Sequence, residues 1–364
     1  MKITDSVDRV DIQAKLNGSA KYIEDITFEN LHFARTLRST IAKGKILEVS
    51  YPKGYAGITV IDKNDVMAKN EVSMIDVDMP IFADGEVNYV GEPLALIVGK
   101  NKNDIISFMK EIKVAYEPGN PILSMADASD FVFSERSYTK GNLETHKSLE
   151  QFKGHYKTTY QEQLYMEKQG VVAQYVDDRI EIYASMQCPY YVKNALINAL
   201  GFDENRIRVV QVTTGGAFGG KEDYPSIMAC QTALASIKIG APVRLIFDRR
   251  EDIEFTTKRH PSEVDITSYL EDGKIKGMKI HVQLDAGPYL GLSDVVLQRA
   301  ILSMTGAYQI ENLEVSGILY KTNNLFNGAF RGFGAPQSLF ALEQHMTQLA
   351  KHLGKDPLEF RKEY

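Results

Sequence analysis

Cysteine is almost missing from this sequence of 364 residues: Cys188 and Cys230 are the only two. A pair of thiols argues against a disulfide framework and leaves no thiolate cluster for zinc or an iron–sulfur centre, so both read as buried and inert. Histidine is no better placed, since none of the seven stands at a metal-ligand spacing. Charge of one sign is also lacking: a net charge of -6 with 25% charged residues gives no basic field for nucleic acid or an anionic membrane. No apolar run approaches a membrane span, and the opening MKITDSVDRVDIQAK has no apolar stretch behind a basic start, so the expected setting is the cytoplasm. Internal repeats and low-complexity tracts are absent too. Partners must therefore be sought in local sites of an ordinary globular chain.

The length predicts two or three domains, each able to bury a core. Strand-like runs at 31–39 (LHFARTLRS), 93–98 and 112–116, with helical spacing at 103–111, describe a compact α+β unit over residues 1–125. A polar stretch at 126–153, containing DASD, SER and TKGN, reads as a linker. Over 154–364 the grammar changes. Residues 171–176 and 180–184 flank an Asp-Asp turn, 263–270 and 275–285 flank Asp272-Gly273, and helices are expected over 190–200, 225–239 and 337–353.

Two glycine-aromatic loops interrupt this second unit. The first, VTTGGAFGGKEDYPS (212–226), lies between a strand-like run at 207–212 and the helix 225–239. Gly215, Gly220 and Lys221 fall at the spacing of a phosphate-cradling loop, but the position that should bring a hydroxyl to Mg²⁺ is Glu222, whose carboxylate repels phosphate. The dinucleotide pattern G-x-G-x-x-G is not met. What stands is physical: glycines let backbone approach a partner closely and leave N–H groups open to an electron-rich group. The second loop, NGAFRGFGAPQ (327–337), places Phe330 and Phe333 around Arg331 just before the last helix. Taken singly, either loop also reads as a tight turn whose phenylalanine plugs the core and whose cation pairs with a surface acid.

Together, in this order and at this separation, TTGGAFGGKE and GAFRGFGAPQ resemble the molybdenum hydroxylases of the xanthine dehydrogenase and aldehyde oxidase family. YQEQLYMEKQG (160–170), DRREDIEFTTKRHP (248–261), LQRAILSMTGAY (297–308) and DRVDIQAKLNGSAKYIEDI near the start carry the likeness across nearly the whole chain. The resemblance implies an α+β fold, with an α/β hammerhead domain over 1–125, the linker 126–153, and the first molybdenum-cofactor-binding domain over 154–364. It implies a molybdenum–molybdopterin cofactor shared with a second molybdopterin-binding half or chain. In the family that second part supplies most pterin contacts, an aromatic wall of the substrate channel and a glutamate base; these would lie outside the present residues, in a naturally split subunit or beyond a truncation. FAD and [2Fe-2S] centres would sit on partner subunits.

The resemblance also assigns roles. The implied chemistry is attack of a molybdenum-bound hydroxide on an electron-poor ring carbon or an aldehyde carbon, with hydride passing to a sulfido ligand, so the protein places substrate and stabilises developing negative charge. Gln161 would hydrogen-bond an oxygen ligand of the metal. Gly216, Phe218, Gly219 and Gly220 would bring backbone to the cofactor, Arg331 would line it, and Phe333 would stack on a planar substrate. Glu222 would bind a purine ring nitrogen and Arg299 would face the exocyclic oxygen. An acid and a guanidinium at opposite ends of an aromatic slot suit a flat heterocycle, a purine such as hypoxanthine or xanthine above all. The competing expectations are a nicotinate-type or aldehyde hydroxylase, a merely structural Glu222–Arg299 ion pair, and a non-catalytic scaffold domain. A carbon monoxide dehydrogenase is not favoured, because the second loop has no cysteine.

Overall fold

The computed structural model describes residues 2–75 and 77–364. The strand Pro93–Gly99 shows how its first layer is built, for all seven residues are buried. Alternate side chains feed two cores. Leu96 and Val98 join a core filled by Ile227, Met228 and Leu234 of the helix Tyr224–Ile239, while Ala95 and Ile97 pack with Ile105 and Phe108 of the helix Lys102–Glu111. A strand covered on both faces becomes a continuous apolar run.

This strand belongs to a seven-stranded sheet in the order Ile207–Gln211, Arg179–Ala184, Gly170–Val176, Val243–Ile246, His32–Arg38, Pro93–Gly99, Thr59–Ile61. His32–Arg38 runs parallel to Val243–Ile246, setting His32, Phe33 and Ala34 opposite Val243, Arg244 and Leu245. The layer therefore draws strands from both sides of the 126–153 stretch. Its hairpin Gly170–Val176/Arg179–Ala184 turns through Asp177 and Asp178, whose φ values are 49° and 60°. Positive φ at both turn residues matches the twist of the flanking strands, and Asp tolerates it better than most residues.

The second layer is a five-stranded sheet in the order Glu150–Thr158, Ser262–Glu271, Lys274–Asp285, Asn312–Tyr320, Val132–Lys140. Its pairs are antiparallel except Lys274–Asp285 with Asn312–Tyr320. A parallel pair needs a crossover, and the helix Ser293–Leu302 lies within it. That helix and Ala335–His352 bury Val296, Leu297, Leu342 and Met346 against Ile280, Val282 and Val315.

The 126–153 stretch is not a linker. It holds the edge strand Val132–Lys140 and the first residues of the opposite edge, Glu150–Thr158. Edge strands with a solvated face carry polar and charged side chains, so their composition imitates a loop. Among the described residues, no helix is long and apolar enough to cross a membrane.

The layers position the loops. Residues 212–223 join Ile207–Gln211 of the first sheet to the helix Tyr224–Ile239, and residues 321–334 join Asn312–Tyr320 of the second sheet to Ala335–His352. One glycine loop comes from each layer, and they meet at the seam.

Candidate functional site

The two loops touch backbone to backbone. Gly219 has φ +102°, and a Cβ there would stand 2.7 Å from the carbonyl carbon and oxygen of Ala329. Only glycine combines that dihedral with that approach. The Arg331 N–H donates to the Phe218 carbonyl at 2.8 Å, and the Ala329 N–H to Asp223 Oδ2 at 3.3 Å. Asp223 is buried, and burial pushes its carboxyl up to about 7, aided by the neighbouring Glu222 and opposed by the Ala329 N–H. Phe218 is 47% exposed with φ 53°, so it is held outward at some backbone strain and does not plug the core.

Beneath the loop lies a buried anchor. Glu167 Oε2 accepts from the Gly215 N–H (2.7 Å), the Ser185 hydroxyl (2.5 Å) and the Lys221 ammonium (3.1 Å), while its Oε1 accepts from the Ile23 N–H (3.1 Å). Lys221 has no exposed surface, donates to Ser185 Oγ at 2.9 Å and lies 4.7 Å from the Tyr165 ring centroid. Burial opposes ionisation of Glu167, but these donors outweigh it and hold the carboxyl below its ordinary value. The lysine that would greet a phosphate is thus turned inward, and the phosphate-loop alternative lapses.

Gln187 fastens the loop from the other side. Its Oε1 accepts from the Gly219 N–H at 2.9 Å, and its Nε2 donates to Glu222 Oε1 at 3.2 Å. Glu222 is half-buried; burial raises its carboxyl, against the opposing influence of Arg299 and Gln187. Arg299 sits exposed near the end of Ser293–Leu302, its guanidinium 5.1 Å from the Phe333 ring centroid. Among the described residues Glu222 and Arg299 form no ion pair with each other, so the structural salt bridge is not present. Cys188, at the start of the helix Pro189–Leu200, is free and partly buried, its thiol pushed up to about 11 by burial with Glu222 and Asp223 nearby. It is no thiolate.

Gln161 is exposed, but its orientation is set. Arg259 Nε donates to Gln161 Oε1 at 2.6 Å, and the Arg259 N–H to the Gln161 carbonyl at 3.1 Å. Arg259 Nη2 donates to the Arg331 carbonyl at 2.9 Å, and its guanidinium lies 4.0 Å from the Phe330 ring centroid. Arg331 itself reaches solvent; its backbone serves the loop contact. Gly220 packs against Tyr165 and Gln163, whose Nε2 donates to the Ala329 carbonyl at 2.9 Å. Gly216, with φ +94°, is near Tyr165 and lines a cleft of about 550 Å³ with Tyr22, Glu24, Met166, Lys168 and Thr214.

The structure thus links Gln161, Arg331 and Phe218 through one chain of contacts, and Gly219 to Glu222 through another. Arg299 and Phe333 form a separate stacked pair. Glu167, Gln187, Arg259 and Asp223 are the participants that spacing could not single out. Arg259 and Glu167 lay within the stretches that carried the family resemblance, without a motif position of their own. Among the described residues no group of three or more His, Cys, Asp or Glu stands ready for a metal ion.

Two family models match: "Molybdopterin cofactor-binding domain" over residues 127–364 and "Aldehyde oxidase and xanthine dehydrogenase, a/b hammerhead domain" over 17–120. The chain is 29% identical to the nicotinate dehydrogenase large molybdopterin subunit of Eubacterium barkeri, across 97% of this chain and 87% of that one. It is 30% identical to a probable xanthine dehydrogenase subunit of Bacillus subtilis, across 97% and 50% of the two chains. To the xanthine dehydrogenase/oxidase of Gallus gallus it is 31% identical, across 95% and 26%. Among solved structures, the aldehyde oxidoreductase from Desulfovibrio gigas superposes with a TM-score of 0.88 at 25% identity, covering 97% of this chain and 42% of that one. Apart from the Eubacterium barkeri subunit, the chain spans half or less of the length of these proteins.

Proposed function

Because this chain belongs to the xanthine dehydrogenase and aldehyde oxidase family, as a hammerhead domain followed by a molybdopterin cofactor-binding domain, we propose that it is the part of a molybdenum hydroxylase that presents a flat N-heterocycle, a purine, to the metal. The observation that carries this reading is the separation of Glu222 and Arg299. A guanidinium stacked on Phe333 lowers the half-buried Glu222 carboxyl against the effect of its burial, yet the two do not close on one another. A pair kept apart is available to a third party with complementary ends.

The residues fit an anionic, oxygen-bearing cofactor. Among the described residues, Gln161 has its carbonyl engaged and its amide N–H groups unspent, and the buried Nη1 of Arg259 has no partner. When bound, the molybdenum centre supplies a two-electron oxidation in which a substrate carbon gains a hydroxyl group. The residues of this chain place the substrate. Phe333 offers a face for stacking, Glu222 holds a ring nitrogen and can share a proton with it, and Arg299 stabilises negative charge gathering on an exocyclic oxygen. We assign FAD and [2Fe-2S] to partner subunits, since Cys188 and Cys230 cannot hold a cluster, and the remaining pterin contacts to a second molybdopterin-binding half or chain. The Eubacterium barkeri relative, covered to 87% and named as one subunit, supports work within an assembly.

That relative also favours a second reading, in which Arg299 takes the carboxylate of a nicotinate-type substrate. The test is kcat/KM of the assembled enzyme for xanthine, nicotinate and an aromatic aldehyde. Arg299→Met is expected to lower purine turnover about 10²- to 10³-fold, the usual effect of removing a preorganised charge-stabilising donor. Glu222→Val should lower purine activity while relatively improving the aldehyde. Equal loss on every substrate would mean that the pair holds structure, and wild-type activity confined to nicotinate would remove the purine assignment.

A further inference from the structure

Arg259 is a cation without a counter-ion. It is only 7% exposed, and among the described residues it forms no ion pair with a carboxylate. Its hydrogen-bond partners are neutral: the side-chain oxygen of Gln161 and the carbonyl of Arg331. Among the described residues, nothing partners the buried Nη1. The neighbouring Lys258 shows the contrast, since its ammonium is paired with Glu162 at 2.7 Å. A buried, unpaired charge is costly, and chains keep one where something outside them completes it.

The guanidinium also settles which way the Gln161 amide points. A glutamine side chain has two nearly isosteric ends, one accepting and one donating, and only its hydrogen bonds distinguish them. With Oε1 held by Arg259 Nε at 2.6 Å, the amide N–H groups face away as donors. The same guanidinium holds the second loop through the Arg331 carbonyl at 2.9 Å, and that loop holds the first through the Arg331 N–H and Phe218.

We propose that Arg259 is a positioning residue for the cofactor: it locks the Gln161 amide with its N–H groups presented and contributes the positive charge, through the open Nη1, that an anionic group of the molybdopterin cofactor completes. This rests on the cofactor-binding reading above. It differs from a strut in one measurable respect: a strut stabilises the empty protein, whereas an uncompensated cation costs the empty protein stability and gives it back on loading.

The experiment uses the assembled enzyme with this chain as wild type, Arg259→Met, Arg259→Lys and Gln161→Glu, each produced with and without cofactor biosynthesis. Molybdenum per chain and the thermal midpoint of empty and loaded forms are measured. Arg259→Met is expected to leave the empty midpoint equal or raised, to cut molybdenum retention about 10- to 100-fold, the usual effect of losing a residue that orients a ligand, and to shrink the loaded-minus-empty shift. Arg259→Lys should recover part of the retention, since it keeps charge but not the fork. Gln161→Glu gives the guanidinium an internal counter-ion, so the empty form should gain stability while retention falls. An empty-form midpoint that drops in Arg259→Met, or a variant that fails to fold, would make the residue a strut and overturn the proposal. Unchanged retention in Arg259→Met would overturn it as well while leaving the cofactor reading intact; wild-type assembly that takes up no molybdenum would remove both.

Discussion

Gly219→Ala tests how closely the loops meet. The residue sits at φ +102°, outside what an L side chain adopts comfortably, and its Cβ would stand 2.7 Å from the Ala329 carbonyl group. The dihedral alone costs about 1–2 kcal/mol. Ala329 is backbone and cannot rotate away, so the loops must part, which strains the 2.8 Å hydrogen bond from Arg331 to Phe218, worth roughly 1 kcal/mol. Together these come to about 2–3 kcal/mol, a fall in thermal midpoint of roughly 4–12 °C at about 2–4 °C per kcal/mol. Gly240→Ala is the internal control. Gly240 ends the helix Tyr224–Ile239 at φ +68° with nothing within 4 Å of its Cβ position, so it carries the dihedral cost alone, roughly 2–8 °C and less than Gly219 at any one conversion. Calorimetry on both variants separates the contact from the dihedral, and molybdenum content of the assembled enzyme should fall only for Gly219→Ala. Equal midpoint shifts for the two glycines would refute the argument that the loops are in tight contact.

Glu92 predicts a pH effect. Burial pushes its carboxyl up to about 7, against the Tyr289 hydroxyl and Asn88 N–H that favour the charged form, so the folded chain keeps a proton that the unfolded chain releases near pH 4. This contribution to stability is full below about pH 4 and is lost as pH rises toward 7; Glu92→Gln should flatten that part of the stability profile, and superimposable profiles would contradict it. Glu167→Gln leaves the Lys221 ammonium buried without its acid and should cost about 3–5 kcal/mol by urea denaturation, whereas adding Lys221→Met should restore most of it. A double variant no better than the single one would show that the pair is not the anchor.

The elements legible in the sequence were those whose pattern is local. The expected strand at 31–39 is His32–Arg38, the helix at 190–200 is Pro189–Leu200 and ends at Gly201 with φ 67°, and the helix at 337–353 is Ala335–His352. Each has a buried stripe, and the two helices are followed by glycines, Gly201 and Gly354, that turn chemistry recognises. Val132–Lys140 and Glu150–Thr158 were illegible because an edge strand shows its pairing only through its partner. What defines Val132–Lys140 is Asn312–Tyr320, far along the chain. The shared seven-stranded sheet was illegible for the same reason, since the parallel pairing of His32–Ala34 with Val243–Leu245 leaves no mark on either segment.

The site divides along a related line. Gln161, Arg299 and Arg331 are exposed, so packing does not dictate their identity, and no periodicity points to them; only the family resemblance named them as candidates. Arg259, which holds Gln161 and Arg331, is buried and looks like core. Arg259 lies 98 positions from Gln161 and 72 from Arg331 in the chain, and Gln187 lies 32 from Gly219. No spacing rule reaches that far. What could have marked Arg259 is its class, because a guanidinium rarely enters an interior unpaired. Burial without a counter-ion becomes visible only when the surroundings are known from every side, so the feature of the site that most specifically asks for a ligand is the one that the linear pattern conceals.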